Sequence, residues 1–62
     1  MKIKSDGQGG SCDYYKVELT PDELALDDNA IIDICDNHRF NYGGNVLRYA
    51  DGVNARVTVY RD

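Results

Sequence analysis

The chain has 62 residues, 42 % of them apolar and 29 % charged, and carries a net charge of −4 at neutral pH. A chain of about 60 residues buries only roughly 60 % of the surface its unfolded form exposes, so the material suffices for one small core and one domain spanning residues 1–62. The apolar content argues against a disordered chain, and the acidic balance argues against a general phosphate binder.

The first residues, MKIKSDGQGG, lack the apolar run of a secretory signal, and no stretch approaches 18 apolar residues; the expectation is a cytoplasmic protein with no membrane partner. Ile3 between Lys2 and Lys4 suggests a short strand, and the three glycines of SDGQGGS predict a turn or loop after it. In CDYYKVEL the pattern alternates: Tyr15, Val17 and Leu19 fall on one face, Tyr14, Lys16 and Glu18 on the other, which predicts a strand over 13–19.

TPDE follows, with Thr20 placed to cap, Pro21 suited to a first helical position and Glu23 placed to complete a capping box. One continuous helix from 21 to 37 would bring Asp27 and Asp28 to the rim of its apolar stripe. The expected alternative is a short turn, a break at LDDN, and a helix from about Asn29 to Asn37, capped by Asp28, that buries Ala30, Ile31, Ile34 and Cys35. Asp33 and Asp36 then lie opposite the stripe. His38 and Arg39 suit the C-terminal end of that helix, and NHRFNYGG reads as a turn.

The remainder, NVLRYADGVNARVTVYRD, reads as a β-hairpin with two competing registers. A two-residue Asp51-Gly52 turn aligns Val46, Arg48 and Ala50 with Val53, Ala55 and Val57, leaving Arg48 among apolar neighbours. A five-residue loop over 50–54 instead turns Leu47 and Tyr49 inward with Ala55, Val57 and Val59, and exposes Val46, Arg48, Arg56, Thr58 and Tyr60. The second gives the cleaner core and is the expected one. The fold class is therefore α+β: a small antiparallel sheet of three or four strands with one main helix packed on one face.

Chemistry finds little to hold on to. A Cys12/His38 nucleophile pair would need an orienting group, an oxyanion hole and a cleft that so short a chain rarely builds. The glycines of residues 7–10 lack the Lys-Ser/Thr of a phosphate loop. Two cysteines 23 positions apart with one histidine do not make a zinc site, and DDNAIID puts Ile31 where calcium needs oxygen. No catalytic residue, cofactor or metal is assigned. Cys12 and Cys35 are expected as thiols in a reducing cytosol, their proximity being unspecified by the sequence.

The strongest remaining feature is charge. Residues 17–38 hold Glu18, Asp22, Glu23, Asp27, Asp28, Asp33 and Asp36 with no Lys or Arg, which leaves a net +3 elsewhere. Helix capping accounts for Asp22, Glu23, Asp27 and Asp28 in part. Read functionally, the block is an electrostatic docking surface, with Asp22, Glu23, Asp33 and Asp36 as contacts for a basic partner. A rival surface is the hairpin, whose Arg48, Arg56 and Arg61 accompany Tyr49 and Tyr60 as in a nucleic-acid binder, but the field of the acidic block repels phosphate and direct nucleic-acid binding is not the expectation.

CDYYKVEL resembles an opening found in short phage and prophage proteins, and IIDICDNHRFNYGGNVLRY is similar to the Ile-Asp…Phe-Asn…Gly-Asn…Lys-Tyr pattern of a phage family that includes a nucleotide kinase, with Arg48 in place of the Lys. The resemblance implies a phage origin and a host cytoplasm. In that family the pattern belongs to a helical protein; here it runs into strand-like sequence, and no catalytic residue carries over. The expected function is a non-enzymatic protein-binding module that inhibits or redirects a basic, nucleic-acid-handling host protein, as an anti-defence factor would. A nucleotide-metabolism protein and a hairpin nucleic-acid binder are the alternatives.

Overall fold

The computed structural model describes residues 1–36 and 42–60. Strand β1, Lys2–Gly9, turns through Gly10 and Ser11 into β2, Cys12–Glu18. The tight reversal needs the left-handed backbone of Gly10, at φ 61°, which costs a side-chain-bearing residue energy. The glycine-rich segment is thus strand for most of its length, not the loop its composition suggests. An edge strand tolerates glycines, and Tyr14 covers Gly9 from β2: a Cβ on Gly9 would meet Tyr14 Cε2 at 3.1 Å. The pairing slips by one residue at Lys4, between Ile3↔Val17 and Ser5↔Lys16, a bulge that bends this exposed edge.

The capping box forms as its residues dictate. Thr20 N donates to Glu23 Oε1 at 2.9 Å, and Glu23 N to Thr20 Oγ1 at 3.3 Å. It opens only a single 3-10 turn, Glu23–Ala25, before the chain extends at Leu26. The break falls where LDDN predicts it, but the cap is Asp27, whose Oδ1 accepts from Ala30 N at 2.8 Å; α1 spans Asp28–Cys35, one residue ahead of expectation. The helix ends at Cys35, with Asp36 extended at its C-cap, short of the expected Asn37; residues 37–39, with the expected basic end, lie outside the described residues.

Helix α1 packs over β3, Gly44–Arg48, and β4, Asn54–Tyr60, in an antiparallel sheet ordered β1-β2-β4-β3. The α+β class and the single packed helix stand, with four strands. The helix phase differs from expectation. Ile31, Ile32 and Cys35 are buried, Ile32 to 1 % exposure, while Ile34 is 51 % exposed and Ala30 half-buried. With isoleucines at 31, 32 and 34 in so short a helix, periodicity alone admits either stripe; the seat on β3 and β4 selects 31, 32 and 35. Tyr15, Val17, Leu19, Ala55, Val57 and Val59 complete the core from the sheet, with Met1, Leu26 and Val46 packed against its margin.

The hairpin register is corrected too. Val46 pairs with Val57 and Arg48 with Ala55, the alignment of the tight-turn alternative, although the loop is the four residues 50–53, closed by Tyr49 N to Asn54 O at 2.9 Å. Asp51 makes that loop cheap: its Oδ1 accepts from Val53 N and Asn54 N at 2.9 Å each, and its Oδ2 from Asn54 Nδ2 at 2.6 Å. Leu47 and Tyr49 consequently face outward. Arg48, on the inner side, avoids the apolar core by reaching over the helix start, donating to Leu26 O at 2.9 Å and Asp28 Oδ1 at 3.3 Å. Gly44 sits where no other residue fits, because a Cβ there would collide with the Thr58 carbonyl oxygen and press on Ile32 Cδ1.

Candidate binding face

The four residues singled out for partner contact take different places. Asp22 and Asp33 are exposed. Glu23 is largely absorbed by the fold: besides its capping bonds, Oε1 lies 2.9 Å from the Met1 ammonium, and the Thr20 amide first, then that ammonium, hold its carboxyl below the ordinary range. Asp36 caps the helix C-terminus and is 6 % exposed, so it is not part of a solvated face. The helix layer still shows exposed Asp22, Asp27, Asp28 and Asp33, of which Asp27 caps and Asp28 meets Arg48 at 3.3 Å.

On the inner face, Asp13 is buried on the strand that carries Tyr15. Burial first, then Asp13, Cys35 and Asp36, pushes the Tyr15 hydroxyl above its usual pKa. Burial likewise pushes the Cys35 thiol up to about 11, which makes it inert as a nucleophile in the folded chain. Cys12 and Cys35 are both free thiols. His38, weighed against Cys12 as a nucleophile pair and not assigned, lies outside the described residues, as does Arg61. Among the described residues no three His, Cys, Asp or Glu side chains gather as a metal site, and no helix is long and apolar enough to cross a membrane.

The opposite face of the sheet carries no helix. Strand pairing arranges it in rows across β1, β2, β4 and β3. One row is Ser5, Lys16, Arg56, Leu47; the next is Gly7, Tyr14, Thr58, Asn45; beyond it Gly9, Cys12 and Tyr60 line up. Lys16 and Arg56 are thus direct cross-strand neighbours on the two central strands, an arrangement that like charges disfavour. The Arg56 guanidinium relieves it by leaning diagonally onto the Tyr14 ring, 5.5 Å from the centroid. Leu47 is 55 % and Tyr60 41 % exposed. Lys4, bulged from β1, reaches Asn54 Oδ1 at 3.1 Å.

Beside these side chains lies an open notch of about 280 Å³, lined by Ser5, Gly7, Tyr14, Tyr15, Lys16 and Arg56, with open space where a side chain on Gly7 would stand. Asp6 also borders it, but pairs with Tyr15 and so shares the register of the other face. Of the hairpin residues read from the sequence, Arg56 and Tyr60 belong to this face, while Arg48 is committed to the helix start. Tyr14 and Lys16 were missed. Their place on the polar side of the β2 alternation is visible in the sequence, but their meeting with Arg56, some 40 positions away, is made only by sheet pairing. Comparison with protein-family models, curated proteins and solved structures gives no match, so fold and surface chemistry carry the functional argument alone.

Proposed function

We propose that the protein is a non-enzymatic binding module that uses its bare sheet face to hold an anionic partner. The carrying observation is the juxtaposition of two cations on the uncovered face: Lys16 and Arg56 stand side by side among Tyr14, Leu47 and Tyr60, with Glu18 of that face set beside Lys2 in the neighbouring row, whereas exposed Asp22, Asp27, Asp28 and Asp33 stay in the helix layer. Tyr and Arg are the residues that contribute most to protein contact surfaces, and a flat sheet offers a contact area rather than a reaction cleft. A phage origin and a host cytoplasm remain the setting proposed from sequence resemblance, and two free thiols suit a reducing compartment.

A second reading keeps the helix layer as a dock for a basic host protein, which the module would inhibit or redirect; the exposure of Asp22 and Asp33 favours it. Charge reversal separates the two. Bait proteins carrying Lys16→Glu/Arg56→Glu or Asp22→Lys/Asp33→Lys are compared with wild type for capture from bacterial lysate at about 0.1 M and 0.5 M salt. Loss of a salt-sensitive partner with the first pair alone supports the sheet face, and loss with the second alone transfers the function to the helix layer. Capture unchanged by both pairs removes both surfaces.

A further inference from the structure

Resting on the sheet-face reading, we infer that the anionic partner is a single-stranded nucleic acid, with a backbone phosphate seated in the Gly7 notch between Lys16 and Arg56, one base lying on Tyr60 and another on the Arg56 guanidinium that Tyr14 supports from beneath. A phosphate offers what the Lys16–Arg56 juxtaposition lacks, a negative charge shared by two neighbouring cations on an open face. The absence of a side chain at Gly7 leaves room for a tetrahedral group to approach the strand backbone, and Ser5 supplies a hydroxyl at the same rim.

The rings distinguish a nucleic acid from an acidic peptide. Tyr14 and Tyr60 lie on adjacent central strands, about 8 Å apart by strand geometry, one beside the cation pair and one beyond it. Bases have a π-face for such platforms and a carboxylate side chain has none. Small polar side chains, Thr58 and Asn45, continue Tyr14's own row across β4 and β3 and can meet base edges without blocking them. A duplex is disfavoured because its bases are stacked on one another and its backbone is convex against a nearly flat sheet. The net charge of −4 opposes all phosphate, so the complex is weak and forms at low ionic strength.

The test is fluorescence anisotropy with a labelled ten-residue oligo-dT and, separately, a labelled ten-residue oligo-glutamate peptide, at salt from about 20 to 200 mM. Wild type is expected to bind the oligonucleotide with a log–log salt slope near about −0.7, the value for one neutralised phosphate. Tyr14→Leu and Tyr60→Leu should each weaken binding by about fivefold or more. Lys16→Gln should flatten the slope, because the phosphate then keeps one of its two cations. Circular dichroism verifies that each variant is folded. Binding that survives both ring substitutions, or a slope untouched by Lys16→Gln, overturns the inference. If the peptide binds in a Lys16-dependent manner and the oligonucleotide does not, the nucleic acid is wrong and the anionic sheet face stands; if neither binds, both readings fall.

Discussion

Helix α1 carries an energetic contrast between two isoleucines two positions apart. Ile32 is 1 % exposed against β3 and β4, and Ile34 is 51 % exposed. Truncating a fully buried Ile to Ala costs about 2–5 kcal/mol through lost transfer energy and the cavity left behind. Marginal stability of 0.05–0.15 kcal/mol per residue gives this chain about 3–9 kcal/mol in all, so Ile32→Ala consumes a large fraction and could leave no folded protein. Ile32→Val, at about 1 kcal/mol, is the measurable version and should lower Tm by about 8 °C in so small a protein.

At position 34 roughly half the side chain already meets water, and Ala is the better helix former by a few tenths of a kcal/mol. Ile34→Ala should therefore cost about 1 kcal/mol or less, and Ile34→Val close to nothing. Urea unfolding followed by far-UV circular dichroism compares the four variants at constant m. The helix phase is refuted if Ile34→Val destabilises as much as Ile32→Val, since that is the outcome of a helix buried on its 31-34-35 stripe.

Three further outcomes follow from the same structure. Gly44→Ala should destabilise by about 1–3 kcal/mol in the same urea assay, because a Cβ cannot coexist with the Thr58 carbonyl unless β3 and β4 part; an effect under 0.5 kcal/mol contradicts the pairing. Asp51, held by Asn54 and Val53 with its pKa lowered from 3.8 to about 2, contributes fully above pH 4 and loses that contribution as the pH falls toward 2. Asp51→Ala should flatten the decline of the urea midpoint over that window, and an identical pH profile would exclude the turn geometry. In native buffer a thiol reagent should modify half-buried Cys12 quickly and Cys35 only as the chain unfolds; equal rates would place Cys35 outside the core.

Much of this architecture is legible in the residues, where local chemistry decides. Thr20 and Glu23 specify their capping box, the alternation around Tyr15, Val17 and Leu19 specifies the buried side of β2, and LDDN marks the helix break. Elsewhere the deciding interaction is distant. Glycines 7 and 9 read as loop formers until β2 and the Tyr14 ring are available to pair and cover them. The hairpin register turned on whether Arg48 could tolerate the inner side, and it can because Leu26 O and Asp28 lie within reach. Charge counted along the chain suggested one acidic surface, but Glu23 and Asp36 are drawn into capping and burial. The face beside Lys16 and Arg56 appears only once β2 and β4 are neighbours.

Amide shift mapping on isotopically labelled protein tests the central claim, that the uncovered side of the sheet is the contact surface. Titration with oligo-dT at low salt should move the amide signals of Ser5, Gly7, Tyr14, Lys16, Arg56, Thr58 and Tyr60 and leave those of Asp22, Asp27, Asp28 and Asp33 in place. Shifts gathered on the helix layer, or none anywhere while an anionic peptide is equally silent, would contradict the account.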